Sequence, residues 1–122
     1  MLPPPAIPTV INLIRILHRD LYSIGLSLPK REKLGFHKII EDFCVEILSF
    51  AIESAFQSRL DKKFTLQKLR IKTGVLQNLV RTENELKIID DKTYLRISEQ
   101  IIEISKQNNN WLNSLITQKE VV

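Results

Sequence analysis

Few residues in this chain have the type and spacing that chemistry demands. His37 and Glu41 stand four apart, which on a helix puts an imidazole and a carboxylate on one face, where both could ligate one metal ion. A di-iron bundle needs more, namely a Glu from each of two helices and Glu-x-x-His pairs from the other two. No such pair occurs. The apolar stripe expected to carry the core also holds no carboxylate, so His37 and Glu41 read as a solvated pair, and no metal or cofactor is expected. His18 flanks an apolar face, where a partly buried histidine bonded to a neighbour is the usual case. Cys44, the one cysteine, excludes an internal disulfide and a cysteine-based zinc site, and reads as a small core hydrophobe. Trp111 reads as a packing anchor or an interface residue. The sequence contains no phosphate-binding loop, no GxSxG and no HExxH. The chain is expected not to be an enzyme.

What stands out instead is charge. The stretch SRLDKKFTLQKLRIK, residues 58–72, holds six Lys or Arg against one acid, Asp61. Those cations are Arg59, Lys62, Lys63, Lys68, Arg70 and Lys72, and Arg81 follows eleven residues after Arg70 on the same helical flank. A second group, Lys30, Arg31, Lys33 and Lys38, precedes it. Residues 7–82 carry 13 positive and 7 negative charges, whereas residues 83–122 carry 5 and 7, so the excess belongs to the first three quarters of the chain. Cations at the start of helices oppose the macrodipole, so stability alone would not favour them there. Both groups are compatible with phosphates spaced along one long side of the molecule. Aromatic residues do not alternate with these cations, so phosphate contact rather than base stacking is expected, with weak sequence preference and steep salt dependence.

The elements that must carry these residues are helical. A chain of 122 residues with 43% hydrophobic and 26% charged residues suits one compact domain. Helices are expected at about 8–27, 30–58, 65–88 and 91–117. A proline-rich lead (1–7) precedes them, with Pro8 in the first turn, and a short tail (118–122) follows. Leu28-Pro29 breaks the chain because the residue before proline avoids the helical region. The basic stretch around Asp61 and Lys62 reads as a loop, with Thr65 as N-cap of the third helix. Asp90 or Asp91 caps the fourth, in which Asn108-Asn109-Asn110 is the segment expected to fray or kink. Four such helices with short links make an all-α, up-down-up-down four-helix bundle. No stretch reaches the ~20 apolar residues of a membrane span. MLPPPAIP lacks the basic start of a signal peptide, so a cytoplasmic location is expected.

The core stripes are Ile7, Val10, Ile14, Leu17, Leu21, Ile24 and Leu28 on the first helix, and Phe36, Ile40, Phe43, Cys44, Ile47, Ala51 and Ala55 on the second. The third contributes Leu66, Leu69, Thr73, Leu76, Val80 and Leu86. Apolar residues are left over. Val45, Ile52 and Phe56 line up almost opposite the core stripe of the second helix, and Val75 and Leu79 flank that of the third. Monomers rarely expose aligned apolar stripes, so these five residues are expected to form a self-association surface.

The order LSLPKREKLGFHKIIEDFCVEIL, KLRIKTGVLQNLVR, KTYLRISEQIIEI and WLNSL resembles the Avd-type four-helix-bundle proteins of diversity-generating retroelements. It is similar also to the four-helix-bundle proteins encoded in intervening sequences of large-subunit ribosomal RNA genes. The resemblance covers about residues 15–116. It rests on a Leu-Pro-Lys opening of the second helix, a leucine-rich third helix ending in Leu-Val-Arg, and a tryptophan near the end of the fourth. The Avd resemblance implies a ring-shaped homopentamer that binds the element's reverse transcriptase and template RNA or RNA/DNA hybrid and supports mutagenic cDNA synthesis without catalysis. Lys30, Arg31, Arg70, Lys72 and Arg81 are then the foremost functional cations. The alternative is a structural or interaction bundle of the ribosomal intervening-sequence type with no polymerase partner.

Overall fold

A computed structural model describes the backbone of residues 6–121 and the side chains of residues 9–116. The proline run Pro3–Pro5, the side chain of Ile7 and the side chains of the 118–122 tail fall outside these, while the backbone of 118–121 continues the last helix rather than forming a tail. Five helices follow one another: α1 Ala6–Leu26, α2 Lys30–Leu34, α3 Phe36–Phe56, α4 Arg59–Glu85 and α5 Asp91–Val121. The four long ones pack in a closed square in which α1 and α4 each lie between α3 and α5. Cross-links at matching heights make neighbours antiparallel: Leu21 of α1 meets His37 of α3, and Arg59 of α4 meets Leu115 of α5. This is the up-down-up-down bundle that the apolar periodicity predicts.

The core takes Val10, Ile14, Leu17 and Leu21 from α1, and Ile40, Cys44, Ile47 and Ala51 from α3. From α4 and α5 it takes Leu66, Leu69, Leu76, Val80, Ile97, Ile101, Ile104 and Trp111. Phe36, Phe43, Ala55 and Ile24 pack against it, half-buried. Leu86 departs from the expected stripe. It is the C-cap of α4, beyond the last helical turn, and is exposed.

Three boundaries differ from the sequence reading. The expected second helix is two. At Gly35 the backbone leaves helical geometry (φ −100°, ψ −111°), and a Cβ there would stand 2.7 Å from the Arg31 carbonyl oxygen, so glycine fits and other residues do not. The short α2 therefore sits as a separate step against α3 and α1. Secondly, the basic stretch is not a loop. Ser58 caps α4: its hydroxyl accepts from the Asp61 N–H at 3.4 Å and donates to the Asp61 carboxylate at 3.1 Å. The break shrinks to Gln57-Ser58, and Thr65 is buried inside the helix, donating to the Asp61 carbonyl. Thirdly, α5 runs unbroken through the three asparagines. Asn108 is fully buried and its amide donates to the Leu66 carbonyl of α4 at 3.1 Å, which turns the expected weak point into a tie.

The α4–α5 corner is a Schellman turn. Lys87 takes the left-handed conformation (φ 61°), its N–H bonds Asn84, and the Ile88 N–H bonds Glu83. Asp90, not Asp91, then caps α5 by accepting from the Thr93 N–H at 2.8 Å. Hydrogen bonding from the Thr93 side chain, together with its backbone N–H, holds the Asp90 carboxyl below its ordinary range.

One residue is unaccounted for by this packing. Gly74 lies exposed inside α4, and a Cβ there would meet nothing within 4 Å. Glycine in a helix interior is less favourable than alanine by roughly 0.5–1 kcal/mol. Gly74→Ala is therefore expected to stabilise the folded chain by about that amount, read as a higher midpoint of urea unfolding at unchanged slope.

Candidate nucleic-acid and partner interface

Because α4 begins at Arg59, all the cations of the basic stretch are spaced around one helix, and four of the seven candidate cations on α4 are partly used within the protomer. Arg59 donates to the Leu115 carbonyl at 2.7 Å, anchoring α4 to α5. Lys62 lies over the Trp111 ring, 5.8 Å from its centroid. Lys72 pairs with Glu46 of α3 at 3.0 Å and covers the Phe43 and Phe50 rings. Arg81 faces Glu85 at 3.8 Å, an exposed pair of little energetic weight.

Lys63, Lys68 and Arg70 make no ion pair among the described residues, and Lys68 and Arg70 are exposed. Lys63 and Arg70 share the edge of α4 that carries Arg59 and Gln77. Both of those reach α5, Gln77 through a 3.0 Å bond to Ser98. Lys68 lies one turn before Lys72, on the α3 side. On α2, Lys30 and Lys33 are unpaired among the described residues and Arg31 touches Glu32 only at 4.0 Å; Lys38 pairs with Asp42 at 3.3 Å. Since α2 packs on α3 and α1 alone, the fold does not line its cations up with Lys63 and Arg70 on one long side.

The leftover apolar residues also sort differently. Val45, Ile52 and Phe56 are exposed on α3, Phe56 at 87%. Val75 is exposed, but Leu79 packs half-buried against the core and leaves the proposed surface. Sequence reading missed Leu60, Phe64 and Ile71, exposed at 66%, 58% and 68%. With Val75 they form a stripe at spacing i, i+4, i+11, i+15 on the outward face of α4. The signal was the Ser58-x-x-Asp61 cap, which places residues 59–64 on the helix. Phe64 consequently does stand among cations, contrary to the expectation of no interleaved aromatic.

His37 is not solvated. It is fully buried, with Nδ1 2.7 Å from the Glu83 carboxylate of α4 and Nε2 2.7 Å from the Leu21 carbonyl of α1. A carbonyl oxygen only accepts, so Nε2 carries a proton; while Glu83 is ionised its carboxylate accepts too, Nδ1 carries the second proton and the ring is an imidazolium. Glu41 adds a second carboxylate at 3.3 Å. Burial alone would lower the His37 pKa; the hydrogen bonds to Glu83 and Leu21 and the two carboxylate charges outweigh it, and the value is raised. Glu83 corrects the expectation that the core stripe holds no carboxylate: it is completely buried, and its Oε1 has no hydrogen-bond partner among the described residues. Gly25 makes room, since a Cβ there would lie 2.8 Å from Glu41 Oε1.

With both nitrogens occupied by hydrogen bonds, His37 offers no lone pair to a metal. Among the described residues no group of His, Cys, Asp and Glu is arranged to hold one. Burial pushes the Cys44 thiol up to about 12, so it is no nucleophile. No described helix is long and apolar enough to cross a membrane. No protein-family model matches the chain, and no match was found among curated proteins or solved structures.

Two outcomes follow for the buried pair. Removing one partner leaves an uncompensated charge, so Glu83→Ala is expected to cost about 3–5 kcal/mol in chemical denaturation. Because the folded pKa of His37 is raised, its contribution is complete below the unfolded value of about 6.5 and is lost as pH rises through the folded value. Stability measured as pH rises from about 6.5 through the folded value is expected to fall in the wild type, and this component of the fall is absent when His37 is replaced by Leu.

Proposed function

We propose that this chain is a non-catalytic accessory of the Avd type, binding nucleic acid and a reverse transcriptase through the cations of α4 and α2. The observation that carries the reading is the set Lys63, Lys68 and Arg70, which stand on α4 without an ion-pair partner among the described residues, although exposed acids lie on both neighbouring helices. Charges left unpaired in this way keep their field for an external polyanion. The resemblance in the order of motifs supports the retroelement setting. In that setting the α3 stripe Val45, Ile52 and Phe56 closes a ring of copies, a pentamer by resemblance. One observation favours the second reading, a structural bundle of the ribosomal intervening-sequence type: Arg59, Lys62, Lys72 and Arg81 already have partners within the protomer.

Charge reversal at Arg70 and Arg81 together is expected to weaken binding of a labelled single-stranded RNA by about tenfold or more at low salt, with a shallower salt dependence and an unchanged helical spectrum. Equal binding by wild type and double variant removes the nucleic-acid assignment. Ile52→Glu is expected to reduce the assembly measured by light scattering to single chains that remain helical. An unaltered mass places the contact between copies elsewhere.

A further inference from the structure

The outward face of α4 is an apolar seam bordered by cations on both sides. Leu60, Phe64, Ile71 and Val75 run along it for about 22 Å at 1.5 Å per residue. Lys68 borders the seam on the side of α3; Lys63 and Arg70 border it on the side of α5. Between Asp61 at its start and Glu85 at the end of α4, this face carries no acid. Gly74 lies on the seam too, with open space where its side chain would be.

Resting on the reading of the chain as a partner-binding accessory, we infer that this face docks an acidic amphipathic helix of a partner protein, with apolar residues on the seam and carboxylates against the bordering cations. The fit is one of charge and width. Beyond the cations, α3 presents exposed Asp42, Glu46 and Glu53, and α5 presents exposed Glu99. A flat anionic bilayer would have to approach those acids, whereas a helix about 10 Å wide stays between them. A polyanion alone would leave Leu60, Ile71 and Val75 in water. A second copy using the same face would set Lys63, Lys68 and Arg70 against themselves. Gly74 lets the backbone of the incoming helix come close, which gives a use to a residue the monomer does not explain.

The test uses the full chain and a fluorescent peptide of about three heptads with Leu at the core positions and Glu at the flanking ones. Its controls are the same peptide with Lys at the flanks, single-stranded RNA, and phosphatidylserine–phosphatidylcholine vesicles. The acidic peptide is expected to bind at least tenfold tighter than the basic one. Phe64→Glu is expected to abolish that binding with far-ultraviolet dichroism kept, and Lys68→Glu to weaken it severalfold; Ile71→Ser, which changes no charge, is expected to weaken it with RNA binding kept. Ile71→Ser serves as a second variant should Phe64→Glu disturb the fold. Gly74→Ala is expected to weaken peptide binding while raising the unfolding midpoint. Equal binding of the two peptides, or a preference for the basic one, overturns the inference. Vesicle binding lost in Phe64→Glu would assign the face to lipid, and an oligomer that Phe64→Glu dissolves would assign it to a second copy; either result also overturns it. Loss of RNA binding in the Arg70 and Arg81 variant tests the nucleic-acid reading, whereas Ile71→Ser, which leaves every cation in place, tests this face.

Discussion

A charged imidazole cut off from water is tolerable only when each of its protons meets an acceptor, and His37 finds its acceptors on two other helices. Leu21 of α1 supplies a carbonyl and Glu83 of α4 a carboxylate, while Glu41 and Gly25 close the site from the sides. The apolar core is non-directional and rewards contact at any register. A hydrogen-bonded ion pair is directional, and turning α4 by one residue would swing Glu83 by about 100° away from the ring. Three of the four long helices are therefore held at one height and one rotation by a single side chain.

The fold was legible in the sequence because apolar residues repeat at helical spacing over long runs, and that pattern survives whatever the ends do. The ends were less legible, because local hydrogen bonding competes with periodicity there. Ser58 and Asp61 look like loop residues among lysines, yet together they start α4 and bring Leu60 and Phe64 onto its outward face. Gly35 is invisible to a hydrophobic pattern but splits the second helix. His37 and Glu83 stand 46 residues apart. Nothing local marks either as buried, so the pair emerges only when the helices are set side by side. Of the candidate surface, the cations were readable as residue types; their sorting into engaged and free ones depends on the acids and rings brought close by the fold.

Lys72 illustrates that sorting. Its ammonium reaches Glu46 while lying within reach of Phe43 and Phe50, so the residue works as a half-buried cover between α3 and α4. Lys62 does the same over Trp111. A charge count from the chain overstates the field available to an outside partner, since part of it seals seams between helices. Of the ten candidate cations, those left without an ion pair, a side-chain hydrogen bond or a ring contact among the described residues are Lys63, Lys68 and Arg70 on α4 and Lys30 and Lys33 on the small step formed by α2.

The corner between α4 and α5 has a kinetic side. Every hydrogen bond that builds it joins residues no more than seven apart, from Asn84 to Asp91 and from Asp90 to Thr93 and Tyr94. Closing so short a loop sacrifices little chain entropy, and it needs nothing from the N-terminal half. The α4–α5 hairpin can thus close on its own, while the site of His37 is complete only once α1, α3 and α4 have all met.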